Sequence, residues 1–195
     1  MAEQAITLII GLGNPGEKYS KTRHNAGFWF IDELAKKVGA SFKTESKFSG
    51  EVAKASIDGK PIWLLKPSTF MNRSGLAAHQ LSSFYKIPAQ QILVAYDELD
   101  LPVGTARLKK GGGHGGHNGL RDLHAQIGKE YMRLRLGIGH PGDSKKVADY
   151  VLSRPSQNDE IGIINAIDRS LDVIEKVISG DLEKAMNILH TEHKD

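Results

Sequence analysis

Two short apolar runs constrain this chain most: Ile6-Thr7-Leu8-Ile9-Ile10, closed by Gly11, and Ile92-Leu93-Val94-Ala95-Tyr96, closed by Asp97. Both are rich in residues that favour strands and lack polar alternation, the pattern of strands buried on both faces of a sheet. Such a sheet must be covered by helices, so an α/β fold follows. In open α/β sheets the carboxyl ends of the strands form the ligand crevice, which marks Asp97 as a residue facing chemistry.

At 195 residues the chain fits one domain, 1–195, able to bury a single core. It has no Cys, which excludes disulfides and thiolate metal sites and suits a reducing cytosol. Met1-Ala2-Glu3-Gln4 carries no basic run, and the apolar stretch after it is too short for a signal core or membrane span. The expectation is a cytoplasmic protein without membrane attachment. Charge is unevenly spread: residues 104–154 hold ten Lys/Arg against four Asp/Glu, and residues 155–195 hold four against nine. A basic middle and an acidic tail suit a polyanionic partner bound through phosphate contacts.

Gly11-Leu12-Gly13-Asn14-Pro15-Gly16 matches G-x-G-x-x-G after a strand. A dinucleotide site also needs a helix opening on the last glycines and an acid ending a second strand about 20 residues on. Here Pro15 to Ser20 reads as a turn, and Asp32 and Glu33 fall inside the next helix. The glycines instead let the chain turn so that Asn14 and Tyr19 face a cleft. Thr22 to Gly39 reads as that helix, capped by Thr22 and ended by Gly39. His24 then lies in its first turn, where the positive end of the helix dipole favours a neutral imidazole.

Strands flank an Asp58-Gly59 hairpin turn, after which Phe70-Met71-Asn72-Arg73-Ser74-Gly75 leads into a helix. Phe70 and Met71 fit a core; Asn72, an amide in a strand-to-helix loop, is placed to hold a ligand or a water. Asp97-Glu98-Leu99-Asp100 offers either an orienting carboxylate for a histidine or an acidic site for Mg²⁺. Val103 to Leu108 reads as a strand delivering Gly111-Gly112-Gly113-His114-Gly115-Gly116-His117-Asn118-Gly119, a permissive backbone carrying two imidazoles and an amide. A helix opening just after Asn118 puts backbone N–H groups beside it, suited to an oxyanion. Tyr131 to Gly139 alternates, putting Arg133 and Arg135 on one face, which is either a solvated sheet face or a phosphate clamp with Lys109. Two stretches, Gln157 to Ser179 and Leu182 to His190, read as scaffold helices.

Taken in order, the blocks Gly11–Gly16, Thr22-Arg23-His24-Asn25-Ala26-Gly27, Phe70–Gly75, Asp97–Asp100, the glycine loop with Asn118, and Gly137-Ile138-Gly139-His140-Pro141-Gly142 resemble those of the bacterial-type peptidyl-tRNA hydrolase family. They span nearly the whole chain. The resemblance implies a twisted mixed β-sheet flanked by helices, phosphorylase/hydrolase-like, acting as a monomer without cofactor or metal. It implies hydrolysis of the ester joining a peptide to the terminal ribose of tRNA, with His24 as general base held by Asp97. It further implies that Asn14 senses the blocked amino group, that Asn72 and Asn118 bind the tRNA 3′ end, water and the oxyanion, that Tyr19 and Phe70 contact tRNA, and that Lys109 and Arg135 grip the 5′ phosphate. DNA and membranes are not among the implied partners.

Two other readings remain on the residues alone. One is a non-catalytic RNA-binding module on the same fold, the other a nicotinamide enzyme built on Gly11 to Gly16. No G-x-S-x-G elbow and no H-E-x-x-H occurs. His114, His117 and His124 are expected to shape the glycine loop rather than to ligate a metal.

Overall fold

The computed structural model describes residues 5–191, so the four N-terminal residues discussed above and the last four of the acidic tail lie outside the described residues. The elements are β1 (Leu8–Gly11), α1 (Ala26–Val38), β2 (Lys43–Glu45), β3 (Gly50–Ile57), β4 (Lys60–Pro67), α2 (Ser74–Phe84) and β5 (Ile92–Glu98). Then follow β6 (Ala106–Lys110), α3 (Asn118–Ile127), β7 (Met132–Gly137), α4 (Val147–Val151), α5 (Gln157–Asp172), α6 (Ile174–Ile178) and α7 (Leu182–Thr191).

The strands form one seven-stranded sheet in the order β2-β3-β4-β1-β5-β7-β6. The centre β4-β1-β5-β7 is parallel, whereas β2-β3-β4 and β7-β6 pair antiparallel. The sheet is therefore mixed, as expected. Asp58 and Gly59 both take positive φ (52° and 73°), the conformation a two-residue hairpin needs to match strand twist. Side chains alternate between two apolar layers. Ile9, Leu64, Leu93, Ala95, Leu134 and Leu136 pack with α1, α5, α6 and α7. Leu8, Ile10, Leu65, Ile92 and Val94 pack with α2 and α3 on the other face.

One close approach positions the site. A Cβ on Gly27 would stand 2.4 Å from the Ala95 carbonyl oxygen and 2.6 Å from the Leu12 nitrogen, and one on Gly11 would stand 2.4 Å from the Gly27 oxygen. Glycine at both positions lets the start of α1 press onto the ends of β1 and β5, carrying the residues just before it over Asp97.

Several element boundaries differ from the sequence reading. Arg23 to Asn25 forms a separate 3₁₀ turn, and α1 begins only at Ala26. Thr22 makes no cap; its hydroxyl donates to the Tyr19 carbonyl instead. At the other end Gly39 (φ 70°) does stop α1. The strand placed at Val103 to Leu108 lies two to three residues later, because Pro102 to Thr105 is used in a turn. The stripe from Gln157 to Ser179 is broken at Val173 into α5 and α6. No helix among the described residues is long and apolar enough to cross a membrane.

Candidate active site

Asp97 ends the buried run of β5 and is 2% exposed. Its two carboxylate oxygens are each taken by an imidazole: His24 Nδ1 lies 2.7 Å from Oδ2, and His117 Nε2 lies 2.7 Å from Oδ1. The partners assign the tautomers. His117 Nδ1 accepts from the backbone N–H groups of Gly119 (3.1 Å) and Leu120 (3.3 Å), so its proton sits on Nε2 and is donated to Asp97. His24 donates from Nδ1, which leaves its Nε2 as a bare lone pair.

Electrostatics follow this geometry. Burial pushes His24 down, but attraction to the Asp97 carboxylate and the hydrogen bond to it outweigh burial, and its pKa is raised above the ordinary 6.5. The expectation that the helix end favours a neutral imidazole is thus outweighed by the Asp97 carboxylate, 2.7 Å away, which raises the pKa. Burial likewise pushes Asp97 up, yet the His24 and His117 charges and hydrogen bonds hold it below its ordinary 3.8. His117, treated above only as a residue shaping the loop, is therefore part of the constellation. The signal that could have found it is its position one residue before a helix, where a side-chain acceptor caps backbone N–H groups.

Asn14 is held on three sides. Asn25 accepts from the Asn14 N–H (2.8 Å) and donates to its carbonyl (2.9 Å), while Asn14 Oδ1 accepts from the Met71 N–H (2.7 Å). With its oxygen committed, Asn14 presents only Nδ2, although the residue is 6% exposed. Asn25 was not foreseen as this clamp. Asn72 follows Met71 in a 3₁₀ turn, and Asn118 is the first residue of α3; both are exposed. Phe70 is 58% exposed and meets the Tyr19 ring edge-on at 6.1 Å, so it is not core, whereas Met71 is.

The basic face departs from expectation at Arg133. Arg133 is 1% exposed and points its guanidinium at the carbonyls of Gly113 and Gly112, both at 2.5 Å, and at His124 Nε2 (3.1 Å). It braces the glycine loop from beneath and is no phosphate clamp. Arg135 is half-buried and pairs with Glu98 at 2.9 Å, while Lys109 is exposed. Lys109 lies opposite Arg133 in the β6–β7 register.

The acidic trio does not converge, since Glu98 is engaged by Arg135 and Tyr96. Among the described residues the group whose ligand atoms do converge is His24, Asp97 and His117. Two ligands of a tetrahedral ion with bonds of ~2.0–2.1 Å stand roughly 3.3 Å apart. The 2.7 Å separations here are those of hydrogen bonds with the proton in place.

An imidazole with a free ring nitrogen held by a buried carboxylate, in a chain that also exposes Asn72, Asn118 and the Phe70 ring, is able to take a proton from water. The sequence model of the family described as peptidyl-tRNA hydrolase matches residues 8–195. A peptidyl-tRNA hydrolase of Neisseria gonorrhoeae is 55% identical over 187 residues, covering 95% of this chain and 97% of the relative. The crystal structure of peptidyl-tRNA hydrolase from Acinetobacter baumannii superposes with a TM-score of 0.94 at 47% identity, over 95% of each chain. Purine nucleoside phosphorylase from Toxoplasma gondii, 10% identical with a TM-score of 0.52, shares the fold alone. By sequence over nearly its whole length and by structure, the chain belongs to the peptidyl-tRNA hydrolase family.

Proposed function

We propose that this chain hydrolyses the ester joining a peptide, or an N-blocked aminoacyl group, to the 3′-terminal ribose of tRNA. The observation that carries the reading is His24 donating from Nδ1 to Asp97 Oδ2 at 2.7 Å, which frees Nε2 as a base. In this mechanism a water gives its proton to His24 Nε2 as its oxygen attacks the ester carbonyl. The tetrahedral oxyanion accepts a hydrogen bond from Asn118, the N–H groups of Gly119 and Leu120 behind it being taken by His117. As the intermediate collapses, the ester C–O bond breaks and His24 returns the proton to the departing ribose hydroxyl. Asp97 stabilises the imidazolium in between and keeps the ring turned.

The substrate contacts follow from which groups lack protein partners. Asn14 Nδ2 is offered to the carbonyl of the peptide group next to the ester, a group that an unblocked aminoacyl-tRNA lacks. Phe70 and Tyr19 present aromatic surface to the terminal base, with Asn72 beside them. Exposed Lys109 faces the 5′ phosphate, together with Arg135, which Glu98 holds in place. The chemistry needs no metal, because the base and the oxyanion donors are all protein groups; the protein acts as a cytoplasmic monomer of one domain.

The test mixes the protein with N-acetyl-aminoacyl-tRNA and with the unblocked aminoacyl-tRNA, each with and without EDTA. Release of the blocked amino acid alone, unaffected by chelation, is the expected result. Retention of tRNA without any ester cleavage would replace the reading with a binding module.

A further inference from the structure

A cleft of about 280 Å³ lies against Asn14, on the side away from the glycine loop. Its walls are the turn carrying Gly16 and Glu17, the face of α1 carrying Phe28, Trp29 and Asp32, and the ends of β3 and β4 with Glu51 and Lys66. Asn14 is thus common to this cleft and to the site of hydrolysis. Its Nδ2 is without a protein hydrogen bond among the described residues although the residue is nine-tenths buried, so the residues lining the cleft include one held in place with a donor to spare.

The charge of this cleft is opposite to that of the β6–β7 face. Three carboxylates, Glu17, Asp32 and Glu51, line it against one cation, Lys66. Lys66 is itself held, 2.9 Å from Asp32 and 3.8 Å from Glu51, with Phe28 beneath its ammonium at 5.0 Å. A tRNA backbone would be repelled here and attracted to the Lys109 side. The two halves of an ester substrate can therefore be sorted by charge, the polyanion to one side of Asn14 and the acyl chain to the other.

We propose that this cleft is the subsite for the residue preceding the esterified one in the acyl chain, and that Glu17 and Glu51 make it favour a cationic group over an anionic one. The cationic group is a Lys or Arg side chain, or the free α-amino group of a dipeptide, which stands about 7 Å from the ester carbonyl at extended-chain spacing. Phe28 and Trp29 supply the apolar wall for the aliphatic stem of such a side chain. This inference rests on the esterase reading above.

The experiment compares kcat/KM for three tRNAs bearing N-acetyl-dipeptides that share the esterified residue and carry Lys, Gln or Glu before it. Wild type should prefer Lys to Glu by about fivefold, less at high salt, as partly exposed charge pairs do. Glu51→Gln with Glu17→Gln should bring the Lys/Glu ratio close to one. Lys66→Gln, which removes the opposing charge, should increase the ratio. Opposite shifts in the two variants cannot come from damage to the fold, and using a ratio within each protein cancels changes in overall activity. Equal ratios in wild type and both variants would overturn the subsite. Cleavage of none of the three tRNAs by wild type would overturn the esterase reading instead.

Discussion

His117 caps α3 with one ring nitrogen and donates to Asp97 with the other, at 2.7 Å. A single imidazole thereby fixes the start of the helix that carries Asn118 relative to the carboxylate that orients His24. His117→Ala should remove both functions, costing about 1 kcal/mol in helix capping and about tenfold or more in kcat through the loosened carboxylate. His117→Asn should recover the cap, read by urea unfolding, but not kcat. If the two recover together, His117 acts on stability alone.

The pH dependence has a defined sign. His24 must be unprotonated to accept a proton and its pKa is raised, so kcat/KM should climb with pH through a midpoint above 6.5. Asp97→Asn removes the cause that raises it and leaves burial, which lowers it; the midpoint should move down while the plateau falls. A midpoint unmoved in that variant would show that another group governs the profile. For stability, the raised pKa of His24 means its contribution is full below pH 6.5 and fades as pH rises through the folded value. The lowered pKa of Asp97 contributes above 3.8 and is lost as pH falls through its folded value. Thermal melts from about pH 3 to pH 9 check both.

Arg133 carries a prediction for the loop. Replacing it by Met leaves the carbonyls of Gly112 and Gly113 without their buried donor and should cost about 2–3 kcal/mol, measured by urea unfolding. The loss should appear also as faster amide exchange across residues 111 to 117. A variant as stable as the parent, with an unchanged loop, would contradict the bracing role.

These residues also show what the sequence could and could not reveal. Asp97 and His24 were legible because a buried strand ends in an acid and a histidine stands at a helix start, both local patterns. The α/β sheet was legible from its apolar runs and the hairpin from the Asp58-Gly59 turn, while the mixed character of the sheet came from the family resemblance. Arg133 was not, because alternation reports which face of a strand a residue takes and not what covers that face. What covers it is the glycine loop, whose path depends on Arg133 itself and on the packing of α3. Asn25 was missed for a similar reason: its bonds to Asn14 span eleven residues and exist only once Gly11 and Gly27 let α1 close onto the strands.

Phe70 is exposed and should matter to substrate rather than to the fold. Phe70→Ala should change stability by no more than about 0.5 kcal/mol yet weaken binding of the tRNA 3′ end by roughly 1–3 kcal/mol if a base stacks on it. Filter binding of tRNA with and without its terminal adenosine separates the two: the effect should vanish when that base is absent. An equal effect on both tRNAs would place the terminal base elsewhere.

The central claim is that His24 is the base, and it is tested most directly by single-turnover hydrolysis of N-acetyl-aminoacyl-tRNA at saturating enzyme, for the parent and for His24→Ala. The expected result is a rate lower by about 10² to 10⁴ with tRNA affinity close to that of the parent. Hydrolysis by His24→Ala at the parental rate would contradict the assignment of His24 and leave the Asp97 pairing without a catalytic purpose.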